Sequence, residues 1–385
     1  MLLAAASCLF GCAKPTVMTD GAVEAEENNT LYACNAQAIR SGDKLYFIDE
    51  GQKGAMLFCT DIESGTTMPI CTRPECLHEN SECDSYIGMS APSAMIINGN
   101  SFYWPMSAEN VYPPEKYLFS MALDGTDRRR ELKLDADIEM LANNGIMTIY
   151  NNTLYRCGNG ELIEDATPKR YIVIYSQKIE NGSEPQEILR LEGGDEITRF
   201  DTIVARRYGS MMYCGVFFYE DVSEDETEIE LQLYAYDLEK SELKELHSGK
   251  VDFGAVDLSV RGDKLIFAGG EAFSYSLTSG EFEKYIRQSD RIYAITDGAI
   301  FGFTSTNDYI CMDHSGNTIS EGPFVTEGLE ANTLKRYLGS IDSAFYFYLK
   351  SPPGVETPYN YLVSFDPKTS EIKLLWKGEN KGRQW

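Results

Sequence analysis

A two-strand phrase recurs seven times along this chain. One copy reads Gly42-Asp43-Lys44-Leu45-Tyr46-Phe47, then Leu57-Phe58-Cys59-Thr60-Asp61, then Ser64-Gly65. A distant copy reads Gly262-Asp263-Lys264-Leu265-Ile266-Phe267, then Phe273-Ser274-Tyr275-Ser276-Leu277-Thr278-Ser279-Gly280. Self-similarity at a period of several tens of residues marks an array of like supersecondary units. The unit here is all-β, so the expected fold is a β-propeller. Such a repeat constrains the architecture strongly and says nothing about a ligand.

The second strands of the units are expected to begin near Leu45, Phe102, Leu154, Met211, Leu265, Ile300 and Phe345. Most lie about 50 residues apart, with one shorter step before Ile300. Each is rich in Tyr, Phe, Ile and Val and follows Gly, Asn or Asp, which tolerate the positive φ of tight hairpins. Third strands run through Leu118, Leu233, Ile310 and Leu362 and end in an acidic residue such as Asp124, Asp237, Asp313 or Asp366. An Asp in that place can accept backbone hydrogen bonds and start the next turn. Fourth strands follow, as in Glu131-Leu132-Lys133-Leu134 and Glu371-Ile372-Lys373-Leu374. Their alternating charge suits an outer edge, because charge blunts edge-to-edge pairing. Four strands in seven units predict seven blades, with six or eight as alternatives if the short step hides a merged or missing strand. No break in composition divides residues 31–385, which read as one propeller domain. Leu31 to Ile39 are expected to complete the sheet of the last blade. Two stacked β-sandwiches are the rival architecture, but sandwiches seldom repeat one strand-end Asp at this period.

The formal net charge is -26, from 34 basic and 60 acidic side chains. That charge repels nucleic acid and anionic lipid headgroups. The first eleven residues are apolar and lead to Leu9-Phe10-Gly11-Cys12, which resembles a lipobox and makes Cys12 the expected lipidation site. The charged start of a signal peptide is missing, so either the start codon is set late or the stretch is no signal. Residues 12–30 are polar and acidic and read as a flexible tether. The expected location is the extracellular face of the cytoplasmic membrane, with the lipid as the only membrane contact.

One segment concentrates soft ligands: Cys71-Thr72-Arg73-Pro74-Glu75-Cys76-Leu77-His78-Glu79-Asn80-Ser81-Glu82-Cys83. It falls in the expected connection between the first two blades. Cys71, Cys76, His78 and Cys83 can fill a tetrahedral Zn²⁺ site, since thiolates and imidazole match zinc in softness. The spacing is that of no standard finger, knuckle or ribbon. A second reading is oxidative, because thiols outside the membrane often pair. Cys34 and Cys59 are then candidate partners for the odd thiol of the cluster. A third reading leaves free buried thiols. Cys157, Cys214 and Cys311 fall within strands and read as small core hydrophobes.

The lipobox, the tether and the pattern Cys71-x4-Cys76-x-His78-x4-Cys83 ahead of the repeats resemble a group of lipoproteins from Gram-positive anaerobes. Their repeats are similar to those of TolB-like and other multi-bladed propellers. The resemblance covers most of the chain, and the Cys/His segment is its specific part. It implies a propeller, an anchored location and a structured Cys/His loop, and nothing catalytic.

Nucleotide and hydrolase motifs are absent. His247 and His314 read as solvated side chains. Glu220 to Glu228 reads as an acidic hairpin tip. Phe102-Tyr103-Trp104, Phe217-Phe218-Tyr219 and Phe345-Tyr346-Phe347-Tyr348 could stack on sugars, but strand alternation puts half of these rings between blades. The expected function is a lipid-anchored binding or scaffold module that presents a propeller mouth to a peptide, a glycan or an envelope protein. The alternative is a carboxylate-dependent carbohydrate-active enzyme on the same scaffold.

Overall fold

The computed structural model describes residues 38–379 with breaks at 52–53, 79–81, 89–91, 93–94, 108–114, 135–145, 165–166, 181, 193–199, 224–225, 256, 270–271, 287–290, 296–298, 305–307, 314, 325–333, 342–343 and 352–358. The described residues form seven antiparallel sheets and no helix. Each sheet is a blade whose strands follow one another outward in chain order. Blade 1 comprises β1 (Ala38–Ser41), β2 (Lys44–Gly51), β3 (Gly54–Asp61), β4 (Thr67–Pro69) and β5 (Tyr86–Gly88), with β4 and β5 both paired to β3. The other six blades have four strands each. The short step before Ile300 therefore reflects compact blades rather than a lost strand: the second strands there are Lys264–Ala268 and Ile300–Phe303.

Local chemistry explains the hairpins. The two-residue turns between first and second strands use positive φ, as at Gly42 (φ 59), Asn151 (φ 46) and Asn152 (φ 57). That geometry matches the right-handed strand twist. The strand-end aspartates cap the outer turns as expected. Asp61 Oδ1 accepts from Ser64 N at 2.8 Å, Asp124 Oδ1 from Thr126 N at 2.9 Å, and Asp313 Oδ1 from Ser315 N at 2.8 Å. Asp237 and Asp366 accept from Glu239 N and Lys368 N in the same way.

Alternation along each strand sends side chains to both faces of its sheet, and both faces are covered by neighbouring blades. On β2, Tyr46 and Ile48 enter the core shared with blade 2, while Leu45 and Phe47 enter the core shared with blade 7. Among the described residues a hydrophobic cluster fills each of the seven seams. The aromatic runs belong to this packing. Phe102, Trp104, Phe217, Phe218, Phe345 and Phe347 are buried between blades and offer no sugar platform.

At Ile39 the structure differs from the expected closure. Ile39 lies on β1 and pairs with Tyr46 inside blade 1. The last blade is complete without it, from Leu334–Ile341, Ala344–Lys350, Tyr359–Asp366 and Glu371–Glu379. No outer position is vacant there, so β1 takes the innermost place of its own sheet. Residues 31–37 of the same expectation lie outside the described residues. The seam between blades 7 and 1 is closed by side chains. Phe47 packs on Phe58 and Trp376, both with ring centroids 5.4 Å away. Beside them the Asp49 carboxylate accepts from the Tyr348 hydroxyl and from Asn360 Nδ2, the latter at 2.6 Å.

Phe47→Ala should therefore cost about 3–5 kcal/mol, the range for deleting a buried aromatic ring. Chemical denaturation measures it, and a loss below about 1 kcal/mol would mean that this seam does not carry the closure.

Candidate metal centre

The outermost strand of blade 1 is interrupted. Ile70 N donates to Leu57 O at 3.0 Å, and Leu57 N donates to Ser85 O at 2.8 Å. The chain thus leaves the sheet after Ile70 and rejoins it at the same partner residue. The Cys/His segment is this excursion. It interrupts the edge strand of blade 1, and the connection to blade 2, where it was expected, comes only after Gly88. The reason is β5: Gly88 and Tyr86 resume pairing with Ala55 and Met56 of β3. Gly54 makes room for that return. It has φ 124, and a Cβ there would come within 2.5 Å of Gly88 O.

Within the excursion the four expected side chains converge. The Sγ atoms of Cys71, Cys76 and Cys83 and a ring nitrogen of His78 all lie within 4.8 Å of one another. His78 Nδ1 is 3.3 Å from Cys83 Sγ. Ligand atoms around tetrahedral zinc with bonds of about 2.3 Å sit about 3.8 Å apart, so this set can hold one metal ion. A tight turn starts the convergence, with Cys76 N donating to Arg73 O at 3.1 Å. His78 then adopts φ 53, and its N–H points at Cys76 Sγ, 3.4 Å away. Turning Cys76 and His78 inward drives the residue between them outward, and Leu77 is 82% exposed. On the far side Cys83 is buried, with Ser85 Oγ 3.0 Å from its sulfur.

The thiols are not equivalent. The His78 N–H, with help from Cys83, Cys71 and the Arg73 charge, holds Cys76 below the ordinary thiol value. Burial pushes Cys83 up to about 11. A buried thiol of that kind keeps its proton at neutral pH, and a cation bound there would have to displace it. All seven described cysteines, Cys59 among them, are free thiols. Cys12 and Cys34 lie outside the described residues.

Three neighbours were not singled out from the sequence. Asp84 Oδ2 accepts from Thr72 N at 3.2 Å, Thr72 Oγ1 at 2.8 Å and Cys71 Sγ at 3.5 Å. Its Oδ1 faces Arg73 Nε at 3.4 Å. Burial opposes ionisation of Asp84, but Thr72, Cys71 and Arg73 together hold its carboxyl below the ordinary value. Only proximity within the segment could have suggested these partners. A depression of about 400 Å³ adjoins the cluster, between Thr72, Glu82 and Asp84 on one side and Thr126 and Arg128 of blade 2 on the other. Arg128 Nη1 donates to Tyr86 O and ties blade 2 to β5.

The remaining residues have structural surroundings. Cys157 and Cys214 share the core between blades 3 and 4, and burial pushes Cys311 up to about 12. His247 is half-buried rather than solvated. Its ring meets Phe282 edge-on at 4.9 Å, and its Nε2 is shielded from water. His314 lies outside the described residues. Glu220 and Glu228 face each other across a β-hairpin, as expected of the acidic segment.

No protein-family model matches the chain, and no curated protein matches it. Solved structures do resemble it. The β-propeller domain of the Trilobed protease from Pyrococcus furiosus, described as having an open velcro topology, matches with 12% identity and a TM-score of 0.50 over 90% of this chain and 98% of that one. The polysaccharide lyase Uly1 matches with 11% identity and a TM-score of 0.47 over 94% of this chain and 95% of that one. At 12% identity the first of these likenesses shows the propeller fold alone.

Gly54→Ala should strain the return of β5 and destabilise the protein by about 1–3 kcal/mol, the cost of a residue held in a sparsely populated backbone region. Amide hydrogen exchange at Leu57 should quicken with it. Unchanged exchange at Leu57 would show that the two halves of the edge strand do not depend on each other.

Proposed function

We propose that the protein is a binding or scaffold module with a structural Zn²⁺ at Cys71, Cys76, His78 and Cys83. One observation carries the reading: four protein ligand atoms converge at one point. Four such ligands leave no open coordination position, and closed sites are structural while catalytic zinc keeps a place for water or substrate. The ion would fasten an excursion in an edge strand, which is a scaffold role. Other carboxylates and aromatic rings have structural roles. The strand-end aspartates are engaged in turns, and the aromatic runs form inter-blade cores. The carbohydrate-active alternative draws no specific support from them.

In this reading the propeller is held outside the cytoplasmic membrane by lipid on Cys12, with residues 12–30 as the tether. It presents a channel mouth to a peptide, a glycan or an envelope protein. A net charge of -26 favours partners other than nucleic acid.

Native mass spectrometry of protein purified without reductant or chelator tests the metal. One zinc per chain, lost on chelation, is the expected result. A metal-free mass lowered by two hydrogens per bridge would replace the zinc with disulfides. Cell fractionation tests the anchor. Cys12→Ala should move the protein from the membrane to the soluble fraction, and an unchanged distribution would remove the lipid from the proposal.

A further inference from the structure

The proposed zinc centre has a charge problem, and one residue stands where it would be solved. Three thiolates and a neutral imidazole around Zn²⁺ leave a net charge of about -1. Asp84 adds a second negative charge, with Oδ2 only 3.5 Å from Cys71 Sγ. In the metal-free protein that contact is a hydrogen bond, in which the Cys71 thiol donates to the carboxylate. Metal binding removes the thiol proton, and the contact becomes one between two anions. A like-charge pair at that distance opposes coordination unless a cation neutralises one of its members.

Arg73 is that cation. Its Nε is 3.4 Å from Asp84 Oδ1. It also stands on the turn that joins Cys71 to Cys76, two residues after the one and three before the other. The backbone places it there: Arg73 opens the tight turn whose carbonyl accepts from Cys76 N at 3.1 Å. Pro74 follows it and stiffens that turn. A guanidinium suits the task because its fork of donors spans a carboxylate and a sulfur at once and never deprotonates. Glu75, the next charged side chain, is acidic and offers no substitute.

We infer that Arg73 is the counter-ion of the metal centre: by pairing with Asp84 on the turn that joins Cys71 to Cys76, it permits three-thiolate coordination next to a carboxylate. This rests on the zinc reading above. Arg73 touches no metal in this account and acts through the ligands, as a positioning residue. Asp84 has two roles. It orients Arg73 and Thr72, and it penalises the centre whenever Arg73 is absent. Outer-shell partners of metal ligands typically change affinity by 10–100-fold, and the half-exposed position of Arg73 points to the lower end.

Zinc affinity of the full chain, measured by competition with a chromophoric chelator, tests this in the wild type and three variants. Arg73→Ala should weaken zinc binding about tenfold, the low end for outer-shell partners. Arg73→Lys should restore part of the loss. Arg73→Ala combined with Asp84→Asn should also regain affinity, because the opposing carboxylate is gone. With Co²⁺ in place of zinc, the sulfur-to-cobalt charge-transfer band should shift in Arg73→Ala while the ligand count stays the same. Melting of the chelated protein should not change with Arg73→Ala, which separates a counter-ion from a merely structural residue. A wild-type chain that binds no zinc would overturn the metal reading itself. A wild-type chain that binds zinc, with Arg73→Ala equal to it or with no recovery in the Asp84→Asn double variant, would overturn only the role of Arg73.

Discussion

Each blade is apolar on both faces, and every other feature of the ring follows from that constraint. An isolated sheet of this kind would expose two hydrophobic surfaces to water, and neither alternation nor edge charge can hide them. Stacking around an axis lets every face find a partner. The seven seams are filled by side chains such as Trp104, Phe217, Phe267 and Phe347, all fully buried. Burying a large apolar side chain contributes about 1.5–3 kcal/mol, so the stability of the ring resides between its units rather than within them. The hairpin turns and capped aspartates set the geometry of each blade. The seams hold the blades together.

The closing seam obeys the same rule. Leu45, Phe47, Tyr346, Tyr348 and Leu362 interlock much as their counterparts do elsewhere. Asp49 adds a polar clasp with Tyr348 and Asn360, which registers one sheet against the other. Among the described residues side chains close this seam, and Ile39 stays in its own sheet.

What was legible in the sequence divides along a physical line. Period-two alternation, turn glycines and strand-end aspartates are local signals, and the strands built on them start where the repeats place them. The second strands at Lys44, Met211 and Ile300 are instances. The four metal-ligand candidates were also legible, because soft ligand types gathered in one short segment are rare enough to stand out. The failures all involve pairing between distant residues. Nothing near Ile39 tells whether it joins the first sheet or the last. Nothing in the Cys/His segment tells that Ser85 returns to Leu57, the residue that Ile70 has just left. His247 looked like a surface residue because its strand is charged, yet Phe282 from the next blade covers its ring. Thr72, Arg73 and Asp84 have ordinary surface composition, and their role is visible only once the sulfurs are placed.

The excursion in blade 1 also has a simple energetic logic. Its ends are already joined through Leu57, so the loop is short and closed before any ion arrives, and the entropy of closing it is small. An ion there would order a segment that the sheet has already gathered.

Because no strand is shared across the closing seam among the described residues, each described blade coincides with one repeat of the sequence. Duplicating or deleting one repeat would add or remove a whole blade with its own inner and outer edges, and no neighbour would be left with a half-made sheet. A ring of this kind can change its number of blades in single genetic steps, and the repeat that carries the Cys/His insert can be inherited, moved or lost as a cassette.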